Sequence, residues 1–297
     1  MAIGGMGGMG GMGGMGAYGG EGCPFPPDDP LRPPLENTEL PSGSIKLDFP
    51  INEHPRDFTP SIWAPEYVAQ AVLAEFTQKH WQPVSGSNTP SPFDPGCWTK
   101  YTGDHTVTEE IQELVALSEG PRRQRTDEII AQAVLASQYW GNVLNISPRI
   151  RPATWALLEV GLAVGMMVGM HFKYRYQRPR PCHYYPALAP VIMTPAHPSF
   201  PNAHALQSNL MSQSVMTVCP PEFDEPLLAL AFRVGRNREI AGVHFSSDRR
   251  GSEAIVKPIM DALTACETFT EIQQRAAAEW GRDRLRTPWQ PAVAKSA

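Results

Sequence analysis

Four basic side chains fall within eight residues, Lys173, Arg175, Arg178 and Arg180, directly after the most apolar stretch of the chain. A generic use for such a cluster is to complement the negative end of a helix. The run Arg178-Pro179-Arg180-Pro181 is less generic, because proline stiffens the backbone and can hold guanidinium forks ready for a tetrahedral anion. Further on, Thr194 to His204 form a proline-laden loop leading into a helix-like run. Backbone N–H groups would gather at that helix start, beside His204. A lone histidine there would more often be structural. The third segment carries Asn237, Arg238, His244 and Asp248. If one helix ran through it, the four-residue spacing would put His244 and Asp248 on one face. The carboxylate would then orient the imidazole and leave its other nitrogen a better nucleophile. If the helix breaks, spacing alone does not demonstrate the pair.

The elements that must position these groups read as helical. Ala153 to Phe172 is just long enough to span a bilayer, but Glu159 interrupts it and no comparable second segment exists. A buried central helix is expected instead. Gly161, Gly165 and Gly169 recur every fourth residue, so another helix can approach that face closely. Pro65 to His80, Thr108 to Ser118 and Thr126 to Trp140 read as further helices, with a loop from Gln82 to Gly96. No convincing alternating strand pattern is present, and the fold class predicted is all-α. Trp63, Trp81, Trp98 and Trp140 are expected as core anchors.

The first 20 residues are an imperfect Gly-Gly-Met repeat, followed by proline-rich sequence. Such a run loses much backbone entropy on ordering and has little side-chain surface to bury. Residues 1–45 are therefore expected to be a disordered tail, and 46–297 a single helical domain. A Met-rich segment that contacts a partner or metal ion is the alternative for the tail.

The 297 residues are 42% hydrophobic and 19% charged, which suits a globular protein. A net charge of -5 argues against a general nucleic-acid binder, so positive charge at an anion site must be local. The five cysteines, Cys23, Cys97, Cys182, Cys219 and Cys266, are scattered and never spaced as C-x-x-C. Neither a disulfide framework nor structural zinc is expected. The histidines His171, His183, His197, His204 and His244 lack metal-site spacing, and the interleaved arginines would repel a cation. No secretory leader is recognised, so a cytoplasmic location is expected.

Taken together the three segments resemble the signature motifs of the type 2 phosphatidic acid phosphatase and vanadium haloperoxidase superfamily. Those motifs are Lys-x6-Arg-Pro, Pro-Ser-Gly-His and Ser-Arg-x5-His-x3-Asp. The first matches at Lys173, Arg180 and Pro181, and the third at Arg238, His244 and Asp248. The second keeps Pro201 and His204 but has Asn202 and Ala203 for Ser-Gly, and Asn237 replaces the serine of the third. The resemblance covers 153–261, and it implies a helical bundle. It implies that Lys173, Arg180 and Arg238 neutralise an oxyanion, with help from Asn202 and Ala203. His244 would bond to phosphorus or vanadium, Asp248 would orient it, and His204 would be the general acid. Asparagine is longer than serine, and alanine restricts the backbone more than glycine, so an altered geometry is expected.

Three functions follow as expectations. The first is hydrolysis of a small phosphorylated substrate through a phosphohistidine on His244, with no metal or other cofactor. The second is a vanadium haloperoxidase, with vanadate held on His244 and with halide and hydrogen peroxide as substrates. The stretch from His197 to Pro201, with Ala205 and Gln207 after His204, looks similar to the corresponding loop of bromide-oxidising members. The third is a non-catalytic oxyanion-binding or assembly protein. A soluble substrate is favoured over a lipid, no membrane span is expected, and homo-oligomer formation is left open.

Overall fold

The computed structural model describes residues 63–80, 106–133 and 137–286. Ten α-helices lie in these segments: α1 Pro65–His80, α2 Val107–Glu119, α3 Arg122–Gln132, α4 Ser137–Leu144 and α5 Pro152–Tyr176. They are followed by α6 Pro181–Tyr184, α7 Ala203–Met216, α8 Asp224–Ile240, α9 Ser246–Thr264 and α10 Glu267–Glu279. No strand occurs among the described residues, and the fold class is all-α. The Gly/Met tail, the stretch from Gln82 to Gly96, and Trp81 and Trp98 lie outside the described residues.

The central helix is α5, and both of its ends are fixed by chemistry visible in the chain. Pro152 occupies the first turn, where its missing N–H costs nothing. The N–H groups of Ala153 and Thr154 donate to the Glu279 carboxylate at 2.8 and 2.9 Å, so the end of α10 caps the start of α5. At the other end Gln177 adopts a left-handed conformation, φ 50°, and its N–H closes on the Lys173 carbonyl at 3.0 Å. The helix is long and apolar enough to cross a membrane, yet 72% of its apolar window is buried inside the fold. Leu157, Leu158, Val160, Val164 and Val168 are fully buried in a core shared with α1, α4 and α7 to α10. Each such side chain contributes roughly 1.5–3 kcal/mol by leaving water.

The glycine stripe works as its spacing predicts. A Cβ on Gly161 would stand 2.7 Å from the Met211 nitrogen, and one on Gly165 3.0 Å from the Gln207 Cα. One on Gly169 would be 3.4 Å from the Ala203 Cβ. Partners four residues earlier on α7 match glycines four residues later on α5, so the two helices run antiparallel in near backbone contact. This brings the C-terminal end of α5, with Lys173, beside the N-terminal end of α7, with His204.

Two expectations need correction. Thr126 to Trp140 is not one helix: α3 starts at Arg122 and ends at Gln132, and α4 begins at Ser137. Thr126 is interior to α3, its hydroxyl donating to the Arg122 carbonyl at 2.9 Å. That local bond supplies what a helix-start position would have supplied. Trp63 is 37% exposed rather than a core anchor, whereas Trp140 is fully buried with its indole N–H on the Ser212 hydroxyl.

Because the closest approach on Gly161 is to backbone, Gly161→Val is expected to destabilise the fold by about 1–3 kcal/mol. Urea denaturation would measure it. Unchanged stability would mean that α5 and α7 are not in backbone contact.

Candidate oxyanion site

The helix break between α8 and α9 sets the third segment. Gly242 has φ +82°, a conformation that L side chains rarely adopt, and it turns the chain out of α8. Asp248 then sits in the first turn of α9 and reaches back to accept the Phe245 N–H at 3.0 Å. The same carboxylate oxygen accepts from His244 Nδ1 at 3.0 Å. The pair therefore forms across a helix start, not along a continuous helix. Ser199 also donates to that oxygen, and its hydroxyl lies 3.4 Å from His244 Nδ1. With Nδ1–H on the carboxylate, the Nε2 lone pair faces Arg180 Nη1 at 3.3 Å. The neutral tautomer assigned by these partners leaves Nε2 as the nucleophilic nitrogen.

The cations are held by backbone carbonyls. Lys173 Nζ donates to the carbonyls of Pro198, Ser199 and Pro201 at 2.8, 2.7 and 2.6 Å. Three acceptors need three N–H donors, so the side chain is an ammonium although burial and then Arg180 push its pKa well down. Arg180 donates through Nε to the His197 carbonyl at 2.9 Å and through Nη1 to the Val243 carbonyl at 2.7 Å. Its Nη2 stands 3.0 Å from His197 Nδ1. Arg238 Nη2 donates to the Ile129 carbonyl at 2.8 Å, and its buried Nε has no hydrogen-bond partner. Burial pushes both guanidiniums down to about 10, so both remain charged at neutral pH.

His204 draws the three segments together. Burial first, then Arg238 and Lys173, push its imidazole down to about 3, with Arg180 adding to the effect. Its ring meets the backbone carbonyl of Gln132, which opposes that shift. His197 is pushed to about 4 by burial, Lys173 and Arg180. His244 is also held well below its ordinary value, by burial and Arg180 against the Asp248 bond. For Asp248 burial alone would raise the pKa, but Arg178, His244 and Ser199 hold the carboxyl well below its usual range.

Of the residues expected at the site, Lys173, Arg180, His204, Arg238, His244 and Asp248 converge. Asn202, also expected there, is bonded into the frame. Its side chain caps α7, accepting the Ala205 N–H at 3.2 Å and donating to the Gly235 carbonyl at 3.2 Å. Its own N–H donates to the Asp248 carbonyl at 3.1 Å. Asn202 thus commits its backbone N–H and one of its two amide N–H groups to the frame. Ala203 lies against Gly169, and its N–H and that of His204 belong to the first turn of α7, where no intrahelical acceptor exists. Asn237 donates to the Gln132 side chain at 2.7 Å and is likewise part of the frame.

The sequence placed Arg178 with Arg180 as guanidinium forks for an anion, whereas Arg178 bridges Glu110 and Asp248; no role was expected for Ser199, Glu110 or the end of α3. Ser199 lay in view within the proline loop. Glu110 reads as an ordinary first-turn acid, and carbonyls such as Ile129 and Gln132 carry no sequence signal at all.

A cleft of about 450 Å³ opens beside Arg180 and His197, lined also by Gln177, His183 and Thr194, without a carboxylate in its wall. Among the described residues no three His, Cys, Asp or Glu side chains converge as a metal-ligand group. No protein-family model and no curated protein matches this chain.

Four buried cations, Lys173, Arg178, Arg180 and Arg238, face two buried carboxylates, Glu110 and Asp248, an excess of two positive charges. Glu128, which Arg238 also senses, is already paired with Arg233. A tetrahedral dianion matches that excess. Sulfate or orthovanadate at about 100 times its Kd is expected to raise stability by about 2.7 kcal/mol, and chloride by much less. Without anion, His197 and His204 bind protons more weakly folded than unfolded. The stability they contribute is complete above about 6.5 and is lost as pH falls towards 4. Urea titrations across that range, with and without sulfate, check both effects; a flat acid limb with no sulfate response would remove the charge argument.

Proposed function

We propose that this chain is a phosphomonoester hydrolase that works through a phosphohistidine on His244. The observation that carries the reading is the polarity of the His244 imidazole: Nδ1 on Asp248 and Nε2 beside Arg180, among buried side chains with excess positive charge. The likeness of its three segments to the phosphatase and haloperoxidase motifs, and a helical bundle of that type, belong to the same proposal.

In this mechanism Lys173, Arg180 and Arg238 neutralise the charge on the three non-bridging oxygens, and the unpartnered Arg238 Nε–H and the first-turn N–H groups of α7 are the donors left to bond them. His244 Nε2 attacks phosphorus as the bond to the ester oxygen breaks. Asp248 stabilises the positive charge that develops on the ring. His204 gives its proton to the leaving oxygen, and the alcohol departs through the cleft beside Arg180. Water then attacks the phosphohistidine with His204 as base, which returns His244 and releases phosphate. A depressed His204 suits this cycle: a bound dianion offsets the surrounding cations, so the imidazole gains its proton when substrate is present. Stabilisation of equatorial charge by fixed cations is the largest expected term.

A second reading has its own observation. His197 stands 3.0 Å from Arg180, in the loop that looks similar to that of bromide-oxidising haloperoxidases. Vanadate has the shape of the phosphoryl transition state, and the same residues fit it: the cations and α7 for its oxygens, His244 Nε2 for the metal bond. Bound there it would supply peroxide activation for halide oxidation. The protein's own contribution would again be to neutralise charge and to hold a proton at His204.

The test is hydrolysis of p-nitrophenyl phosphate and of an alkyl phosphate in chelator. Both are expected to proceed, to be blocked by vanadate and to be lost in His244→Ala. His204→Ala should slow the alkyl ester by about 10²–10⁴-fold and the nitrophenyl ester less, because nitrophenolate leaves without a proton. Absence of hydrolysis together with turnover of bromide and peroxide by vanadate-loaded protein would replace the first reading with the second.

A further inference from the structure

Behind Asp248 the ion network continues to a part of the chain that none of the three motifs includes. Arg178 is 5% exposed, and Glu110 on α2 is 1% exposed. Arg178 Nη1 donates to Asp248 Oδ1 at 2.7 Å and to the Ser247 hydroxyl at 2.7 Å, and Nη2 donates to Glu110 at 2.6 Å. The other Glu110 oxygen accepts the Ser247 N–H at 3.1 Å and the Ser247 hydroxyl. The guanidinium lies 3.9 Å from the Phe245 ring centroid, so its plane is fixed as well as its hydrogen bonds.

The two oxygens of Asp248 are divided by this arrangement. One faces Arg178, and the other collects His244, Ser199 and the Phe245 N–H. Rotation of the carboxylate would break both sets at once. A lysine has one nitrogen and cannot bridge both carboxylates with a planar fork. Glu110 shares the Arg178 charge, which would otherwise fall wholly on Asp248 and weaken the pull of that carboxylate on the His244 N–H.

We propose that Arg178 and Glu110 are positioning residues that fix the tautomer of His244 through Asp248, so that α2 forms part of the catalytic apparatus. The proposal rests on the reading of His244 as the nucleophile. Neither residue needs to touch the substrate.

The experiment uses the full chain labelled with ¹⁵N-histidine, without substrate, in wild type, Arg178→Lys and Glu110→Gln. The His244 signals are identified by their loss in His244→Gln. Wild type is expected to hold one Nδ1–H tautomer, and both variants to populate Nε2–H. In the same proteins kcat for p-nitrophenyl phosphate should fall by about 10–100-fold with KM nearly unchanged. Should Arg178→Lys fail to fold by circular dichroism, Glu110→Gln decides, since it keeps the size of the side chain while removing its charge and one of its two accepting oxygens. Unchanged tautomer in the folded variants overturns the proposal, whether or not kcat falls, because any damage then bypasses His244. Tautomer loss in a protein that hydrolyses no phosphate ester supports the positioning role and sinks the phosphatase reading instead.

Discussion

Positive charge gathered out of water is the constraint around which this site is built. Lys173, Arg180 and Arg238 are each about 1% exposed, and their mutual repulsion is weakly screened there. Backbone carbonyls supply most of their solvation. Lys173 takes three carbonyls from the loop at 198–201, Arg180 takes those of His197 and Val243, and Arg238 takes that of Ile129. Each cation thereby ties down the segment that solvates it: the proline loop, the turn after Gly242 and the last turn of α3. The groups suited to holding an anion are therefore also what folds the pocket's walls. Carbonyl dipoles lower the cost of burying the charge without cancelling it, and the remainder would favour an anionic guest.

The helical frame turns this charge into geometry. Near backbone contact between α5 and α7 leaves little freedom in how Lys173 faces the start of α7, since the interface has no flexible side chain to yield at Gly161. The α8–α9 break performs the equivalent service for the third segment. Asp248 is at once a helix-start acceptor and the partner of His244, so its position follows from a local rule of helix ends. Preorganisation of this kind is worth most when charge develops during reaction, because no dipole must then reorient.

The sequence carried the all-α class, the buried central helix, the glycine contact and the six side chains that converge. These signals are local or periodic, or they lie in residue types with unusual chemistry. It misplaced the start of α3, because Thr126, Asp127 and Glu128 look like a helix beginning while Thr126 in fact bonds back inside the helix. It placed Asn202 at the anion through the resemblance alone, since that position is a serine in the motif; only packing reveals that Gly235 and Ala205 engage both ends of the amide. Glu110 and the carbonyls of α3 were beyond reach for another reason. They act across separations such as Glu110 to Arg178, and backbone acceptors have no letter in the sequence.

The two asparagines that stand where the resembled motifs have serine share a physical consequence. Both are fully buried, and both are bonded into the scaffold, Asn202 to α7 and α8 and Asn237 to α3. A hydroxyl aimed at an anion supplies direction; a cation supplies charge with a looser angular demand. Moving side-chain donors from the guest to the frame shifts recognition towards charge and size, with the N–H groups of Ala203 and His204 left to supply direction. Such a pocket should discriminate strongly between a dianion and a monoanion and weakly between tetrahedral dianions of similar radius. That is the selectivity expected if phosphate and vanadate compete for the same residues, with the group in the adjoining cleft deciding which reaction follows.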